Sequence, residues 1–384
     1  MDGFSADRQL QVLAVRDRYN TGFNTPRISR HNIERRRFLP FNRFYKPLEG
    51  GTVVNPWPPR NFDLLHAFNR VPMVGPTPFV IGYESHLPRA FGREDGLVFK
   101  TLTKRLLSPQ CRRIIPMSQA AKATFLEQHK NNPRLDEIKA KMVVRLPSII
   151  LPEMEDWFDP NAKLDELRLL FVGGHFARKG GMVGVKIAEK ARAAGLPIHV
   201  TVVSVLDCTA HWTDPSRPEF FEPYLKLLDA PNVTLYKGAP NAKVLELSKN
   251  THMSLLPTLG DTFGYSAVEG MSRFAPVIAT SVTALPEFID NDNGVMLPLE
   301  TNAVGEWKHC ARPDRDTPAY EKIFADTIED LAQGAFEACV DLLNNPAKLG
   351  GKRQAARRTV EEKFDAVVAG QFWDQLYVDA VKGR

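Results

Sequence analysis

Hydrophobic and polar positions along the chain follow two alternating registers. Short apolar runs bounded by Pro, Gly or polar clusters predict buried strands over 62–66, 78–83 and 113–116, with a fourth over 141–146 that is broken by Pro147. Between 98 and 132 the spacing turns helical. Residues 119–130 predict a helix whose N-cap, Ser118, can accept from a first-turn amide. Ahead of Phe62 the pattern is weak, with a short helix expected near 7–19 followed by Arg- and Pro-rich loop sequence.

Beyond residue 165 the signals sharpen. A strand over 167–172 leads into the glycine-bounded loop GGHFARKGG, and a helix over 182–195 stops at Gly195. Further strands follow over 198–203, 233–236, 253–256 and 277–280, separated by helical stretches. Strict strand–helix alternation predicts a doubly wound parallel sheet, and two such halves make an α/β protein of two domains with a cleft between them. The expected boundary is near 150. Residues 204–222 and 301–320 read as insertions, and the stretch 328–381 as helical with a Pro/Gly break at 346–351.

Composition supports this picture without adding a function. The 384 residues suit two domains, and 43% hydrophobic with 25% charged residues is an ordinary globular balance. The net charge of +5 is too mild to mark a nucleic-acid binder, and no nucleic-acid partner is expected. Its distribution is uneven: residues 1–60 hold 11 basic and 5 acidic side chains. Arg27, Arg30, Arg35, Arg36, Arg37 and Arg43 read first as a solvated face. The second reading is contact of residues 27–43 with an anionic acceptor or a membrane surface. Cys111, Cys208, Cys310 and Cys339 form no C-x-x-C pair. With no secretory leader and no apolar run near the ~18 residues that span a bilayer, a cytoplasmic setting is expected, peripheral to the membrane under the second reading.

Two local patterns carry chemistry. In the first, Gly173 and Gly174 follow a strand, Arg178 and Lys179 supply charge, and Gly180 and Gly181 open a helix, an arrangement suited to phosphate. It is neither G-x-G-x-x-G nor a Walker loop. The alternative is a glycine turn with a solvated basic pair. In the second, the run from Gly260 to Glu269 follows a strand and enters a helix near Ser266. Asp261 and Glu269 are suited to accept from paired hydroxyls, and the loop amides to face a phosphate. The alternative there is a turn Asp and a solvated helix Glu.

Together, FVGGHFARKGG and the run from VTLYKGAP through LGDTFGYSAVEGMSRFAPVIATSVTALPEF to NGVML resemble the nucleotide-sugar domain of retaining GT-B glycosyltransferases of family four, the glycosyl transferases of group 1. The match covers about 165–300 and extends loosely to the end. The resemblance implies a GT-B fold, with an acceptor domain over 1–150, a donor domain over 151–365 and a last helix, 366–384, packing back on the first. It implies hexosyl transfer from a nucleoside-diphosphate sugar to a hydroxyl acceptor (glycan, lipid-linked or small molecule) with retained configuration, in polysaccharide or glycoconjugate biosynthesis. The departing diphosphate oxygen would take the acceptor's proton. By the same resemblance Gly173, Arg178 and Lys179 hold the diphosphate and Glu269 the ribose hydroxyls. Asp261 and the loop Thr262, Phe263, Gly264, Tyr265 and Ser266 hold the donor sugar, while Lys237, Gly238, Pro240 and Val244 frame the base. The family's frequent Arg is Gly174 here, so Arg178 is expected to compensate. Its first Glu is Asp261, and a usual Gly is Phe274.

The N-terminal half is less similar. LLHAFNRVP, FVIGYESHLPR and RIIPMSQAAKATF resemble the family's acceptor-side strand ends, which would put His66, Glu84 and His86 over the cleft. For both histidines a structural role is the alternative. His175, inside the phosphate loop, is a candidate to face the β-phosphate, and His211 carries no assignment. Asp290-Asn291-Asp292 and Asp314-Arg315-Asp316 satisfy D-x-D as text, but no converging set of oxygens accompanies them, and neither metal nor other cofactor is expected. Two other functions remain open: a non-catalytic nucleotide-sugar-binding protein on the same scaffold, and a sugar phosphorylase or epimerase.

Overall fold

The computed structural model describes residues 8–15, 25–39, 43, 45–54, 57, 60–153 and 164–383. The chain divides into two compact units, Met1–Ile150 with Phe364–Arg384, and Leu151–Lys363.

Unit 1 holds β1 (Gln11–Val15), β2 (Asn32–Arg36), β3 (Gly51–Thr52), β4 (Leu64–Phe68), β5 (Val71–Pro72), β6 (Phe79–Tyr83), α1 (Leu97–Leu107), β7 (Cys111–Pro116), α2 (Gln119–Gln128) and α3 (Leu135–Lys139). Its main sheet is wholly parallel in the order β2-β1-β4-β6-β7, and β3 and β5 pair separately. Both faces are covered, so β6 is apolar along its length and every residue of it is buried, as parallel strands require. Ser118 caps α2 as expected, its Oγ accepting from Ala121 N at 2.9 Å.

Two expectations fail here. The helix near 7–19 is replaced by β1, with residue 7 and residues 16–19 outside the described set. A run as short as QVLAV fits either period, and pairing with β2 and β4 decides it. Residues 141–146 form no strand. Only Met142 bridges to Ile114, although Val143 N and Arg145 N bond to Ile114 O and Pro116 O at 3.0 Å each.

Unit 2 holds β8 (Leu167–Val172), α4 (Gly181–Ala193), β9 (Ile198–Ser204), α5 (Glu222–Lys226), β10 (Val233–Lys237), α6 (Asn241–Lys249), β11 (Met253–Leu256), α7 (Tyr265–Met271), β12 (Val277–Thr280), β13 (Gly294–Leu297), α8 (Pro318–Asn344) and α9 (Pro346–Phe364). The parallel order β10-β9-β8-β11-β12-β13 reverses direction between β8 and β11. That reversal is the switch point, the place at the carboxyl ends of the strands where ligands of open α/β sheets bind. The core packs α4 and α8 against β8, β9 and β11 through Leu169, Phe171, Val200, Leu255 and Phe324.

α10 (Ala366–Lys382) belongs to unit 1. Ala369, Trp373, Leu376 and Tyr377 close a core over Val12, Leu64, Val80 and Ile115. Gly370 lies so near the segment before β2 that a Cβ there would meet Ile28 O at 2.4 Å. Asp374 accepts from Ser29 Oγ (2.5 Å) and Arg30 N (3.0 Å). Part of the basic head is therefore framework. Arg27 Nε donates to Ser148 O at 2.8 Å, Arg35 Nη2 to Thr25 Oγ1 at 3.0 Å, and Arg36 pairs with Glu34 at 2.6 Å. Arg30, Arg37 and Arg43 remain exposed. No helix among the described residues is long and apolar enough to cross a membrane.

Candidate functional site

The loops after β8 and β11 lock together at the switch point. Gly180 has φ +89°, and a Cβ on it would stand 2.3 Å from Pro257 O, so only glycine allows the first loop to lie against the end of β11. Arg178 O then accepts from Leu259 N and Thr258 Oγ1, both at 2.9 Å. This brings Lys179 Nζ to 3.0 Å from Asp261 Oδ2, with both side chains largely buried. Burial opposes the Asp261 charge. The nearby Lys179 and Arg178 charges, a bond from Lys179 and one from the Phe263 amide outweigh it and hold the carboxyl below its usual pKa. Thr283 Oγ1 fixes the Asp261 carbonyl at 2.5 Å.

Arg178 is placed differently from the expectation that it meets a diphosphate. Its side chain is buried, Nη1 donates to Gly260 O, and the guanidinium carbon lies 5.1 Å from the Trp212 ring centre. Trp212 also presses on Gly260, where a Cβ would meet its ring at 2.5 Å. Arg178 Nε and Ser266 Oγ are buried with no hydrogen-bond partner among the described residues.

The Phe263 side chain stacks on Phe288 at 5.3 Å, and its amide serves Asp261. Gly264 takes φ +87°, with Leu285 occupying the space of a Cβ. Thr262, Tyr265 and Ser266 are half-buried around the start of α7. Glu269 sits half-buried on α7, and its charge acts on Arg273.

The lack of a side chain at Gly173 leaves room for Lys179, which a Cβ there would meet at 3.0 Å. Gly174 and Gly238 flank Val205, which lies 3.8 and 3.6 Å from where their Cβ atoms would be. Gly238 N donates to Ser204 O at 3.3 Å, placing Lys237 and Pro240 at the same end of the sheet, with Val244 in the first turn of α6. His175 is held differently, with Nδ1 2.8 Å from Asp207 Oδ2.

The unit 1 candidates are separate groups. His66 is a core residue, 1% exposed, with Nδ1 2.7 Å from the Tyr377 hydroxyl and its ring 4.8 Å from that of Trp373. The expectation that it overlooks a cleft is corrected, because α10 covers it. Burial pushes its pKa down to about 3. Glu84 pairs with Arg89 and accepts from Asn69 Nδ2 at 3.0 Å, whereas His86 is exposed.

The two insertions are packed together. Trp212 O accepts from Ala311 N at 2.7 Å, Thr213 O from the Tyr320 hydroxyl at 2.6 Å, and Asp214 O from Arg315 Nη1 at 3.0 Å. A pocket of about 400 Å³ lies among them, lined by Asp207, His211, Asp214 and Arg315. Burial raises the Asp214 pKa to about 6. Asp207 and Trp212 thus belong to the site although no motif marked them; their only signal was membership of a long loop after a strand. Of the D-x-D segments, Asp290 Oδ1 caps a turn through Asp292 N (2.8 Å) and Asp314 pairs with Arg312 at 2.8 and 2.5 Å. Among the described residues no group of three or more His, Cys, Asp or Glu is placed to hold a metal ion.

Residues 166–307 match the family model described as glycosyl transferases group 1. No curated protein matches the chain in sequence. Solved structures share its architecture. Alr3699/HepE of Anabaena, solved in complex with UDP, is 11% identical over 97% of this chain and 100% of that one, with a TM-score of 0.60. A glycosyltransferase from Rickettsia africae is 15% identical over 98% and 100%, with a TM-score of 0.58. Sucrose-phosphate synthase from Thermosynechococcus elongatus is 14% identical over 97% and 100%, with a TM-score of 0.56. At these identities the likeness is one of fold, the two-unit α/β GT-B architecture.

Proposed function

We propose that the protein transfers a hexosyl group from a nucleoside-diphosphate sugar to a hydroxyl acceptor with retention of configuration, and that unit 2 holds the donor. The observation that carries this reading is the Lys179–Asp261 pair at the switch point, on a loop pressed against β11 by Gly180. Lys179 is the cation for the diphosphate, and the pair with Asp261 holds its ammonium in place before a ligand arrives. Asp261, kept ionised, accepts from sugar hydroxyls, and Glu269 from the ribose. Val205, between Gly174 and Gly238, offers the base an apolar edge. As the sugar leaves, negative charge grows on the bridging phosphate oxygen. Lys179 stabilises it, and that oxygen takes the acceptor's proton on the same face. The match of residues 166–307 to a glycosyltransferase model and the fold shared with a UDP-bound neighbour support the assignment. The acceptor belongs to unit 1, whose exposed Arg30, Arg37 and Arg43 favour an anionic one.

The test is a panel of nucleotide sugars scored by thermal shift, followed by an assay of diphosphate release with and without acceptor extracts. Stabilisation by one donor and release that requires an acceptor are expected. A panel without any stabilising donor would sink the reading.

A further inference from the structure

The loop after β8 carries a second ionisable pair that the transfer chemistry above does not use. His175 and Asp207 form a parallel bridge, with Phe176 N donating to Asp207 O at 2.7 Å and Asp207 N to Gly174 O at 3.1 Å. Thr209 fixes the Asp207 carboxylate, donating to Oδ1 from its amide (2.9 Å) and hydroxyl (2.6 Å). These bonds, the Thr209 hydroxyl's first, hold the Asp207 pKa below its usual value. Asp207 Oδ2 lies 2.8 Å from Nδ1 as a charge contact without hydrogen-bond alignment, and its negative charge favours the proton on Nδ1, which leaves the Nε2 lone pair on the opposite side of the ring. The His175 side chain is 42% exposed, so a ligand can reach it.

Charge balance gives this pair a task. The diphosphate of a nucleotide sugar carries two negative charges. Lys179 is already paired with Asp261, Arg178 is turned toward Gly260 and Trp212, and position 174 has no side chain. One further positive charge is needed beside Lys179. The groups facing the His175 ring are Arg178 and Lys179 on its own loop, Asp207 after β9 and Asp261 after β11, and the Asp207 charge acts in turn on Asp214 in the same insertion. Burial, then Arg178, disfavour the imidazolium, against the pull of Asp207 and Asp261, so the ring is neutral in the unliganded protein near pH 7. An arriving diphosphate adds negative charge and reverses that balance.

We propose that His175, oriented by Asp207, is a proton-coupled phosphate contact, binding a proton at Nε2 when a nucleoside-diphosphate sugar arrives and donating that N–H to a phosphate oxygen. The proton comes from solvent, one N–H bond forms, and no bond in the ligand breaks. The inference rests on the donor reading of unit 2.

The experiment is calorimetric titration of the full chain with UDP-glucose and GDP-mannose, whose phosphates do not titrate between pH 6 and 8.5. Runs in two buffers of different ionisation heat give the number of protons taken up. Wild type should take up as much as one proton per donor bound, and affinity should fall by up to about tenfold per pH unit as pH rises. His175→Gln keeps a hydrogen-bonding amide but cannot take the proton. It should bind with no uptake and a flat pH profile, with its folding confirmed by an unchanged melting curve. Donor binding by wild type with zero uptake, or identical uptake in His175→Gln, overturns the proposal. Absence of any donor binding by wild type overturns the donor reading itself, and this proposal with it, so the two failures are distinct.

Discussion

Arg178 and Lys179 are adjacent in the turn before α4, yet one turns under Trp212 while the other reaches Asp261. The motif was legible in the sequence; the division of labour within it was not, since Trp212 lies 34 positions away in an insertion. Lys179→Ala should weaken nucleoside-diphosphate binding by at least about tenfold, roughly 1.4 kcal/mol, in calorimetry. Trp212→Ala should lower the melting temperature and weaken the same binding, because it uncovers Arg178 and empties the space beside Gly260, whereas Trp212→Phe should restore much of both. His66 reads as a cleft candidate in sequence and is a core group in the fold; burial pushes its pKa, and that of the half-buried His252 beside Arg168, down to about 3. The unfolded chain binds those protons near pH 6.5 and the folded chain does not. Stability from the two is therefore complete above 6.5 and lost as pH falls toward 3, at up to about 1.4 kcal/mol per unit for each. Melting curves between pH 7 and 4.5 should show this decline, with a shallower slope in His66→Gln.

At the level of elements, β8, β9, β10, β11 and β12 were legible because each is an apolar run bounded by polar or Gly/Pro punctuation, and their loops carry the motif residues. β1 was misread because five residues cannot distinguish a helix stripe from a buried strand. Residues 141–146 were over-read because alternate amides bond to β7 without extending into a regular ladder. The fit between the β8 loop and β11 rests on one position. Gly180→Ala meets both a left-handed backbone and the Pro257 carbonyl, and should cost roughly 1–3 kcal/mol in denaturant unfolding while separating Lys179 from Asp261. Gly195→Ala, with open space around it, shares the positive φ but not the clash and should be the milder of the two.

Over the whole molecule, strand–helix alternation showed two α/β halves, and the strand order places the reversal where both sequence motifs lie. What the sequence concealed was long-range closure: the two insertions bind each other, and α10 completes a core begun some 350 residues earlier. Truncation after Lys363 should leave Val12, Leu64, Val80 and Ile115 uncovered and yield insoluble chain, measured as loss of soluble expression. The return path has another consequence. Ile149 N donates to Phe364 O and Ala366 N to Ile149 O, both at 2.9 Å, so the outgoing and incoming strands of chain run side by side where unit 2 begins and ends. Residues 151–363 are thus a cassette on adjoining splice points. A few linking residues from 150 to 364 would close the frame without it, and a foreign unit with equally close ends would fit the same socket.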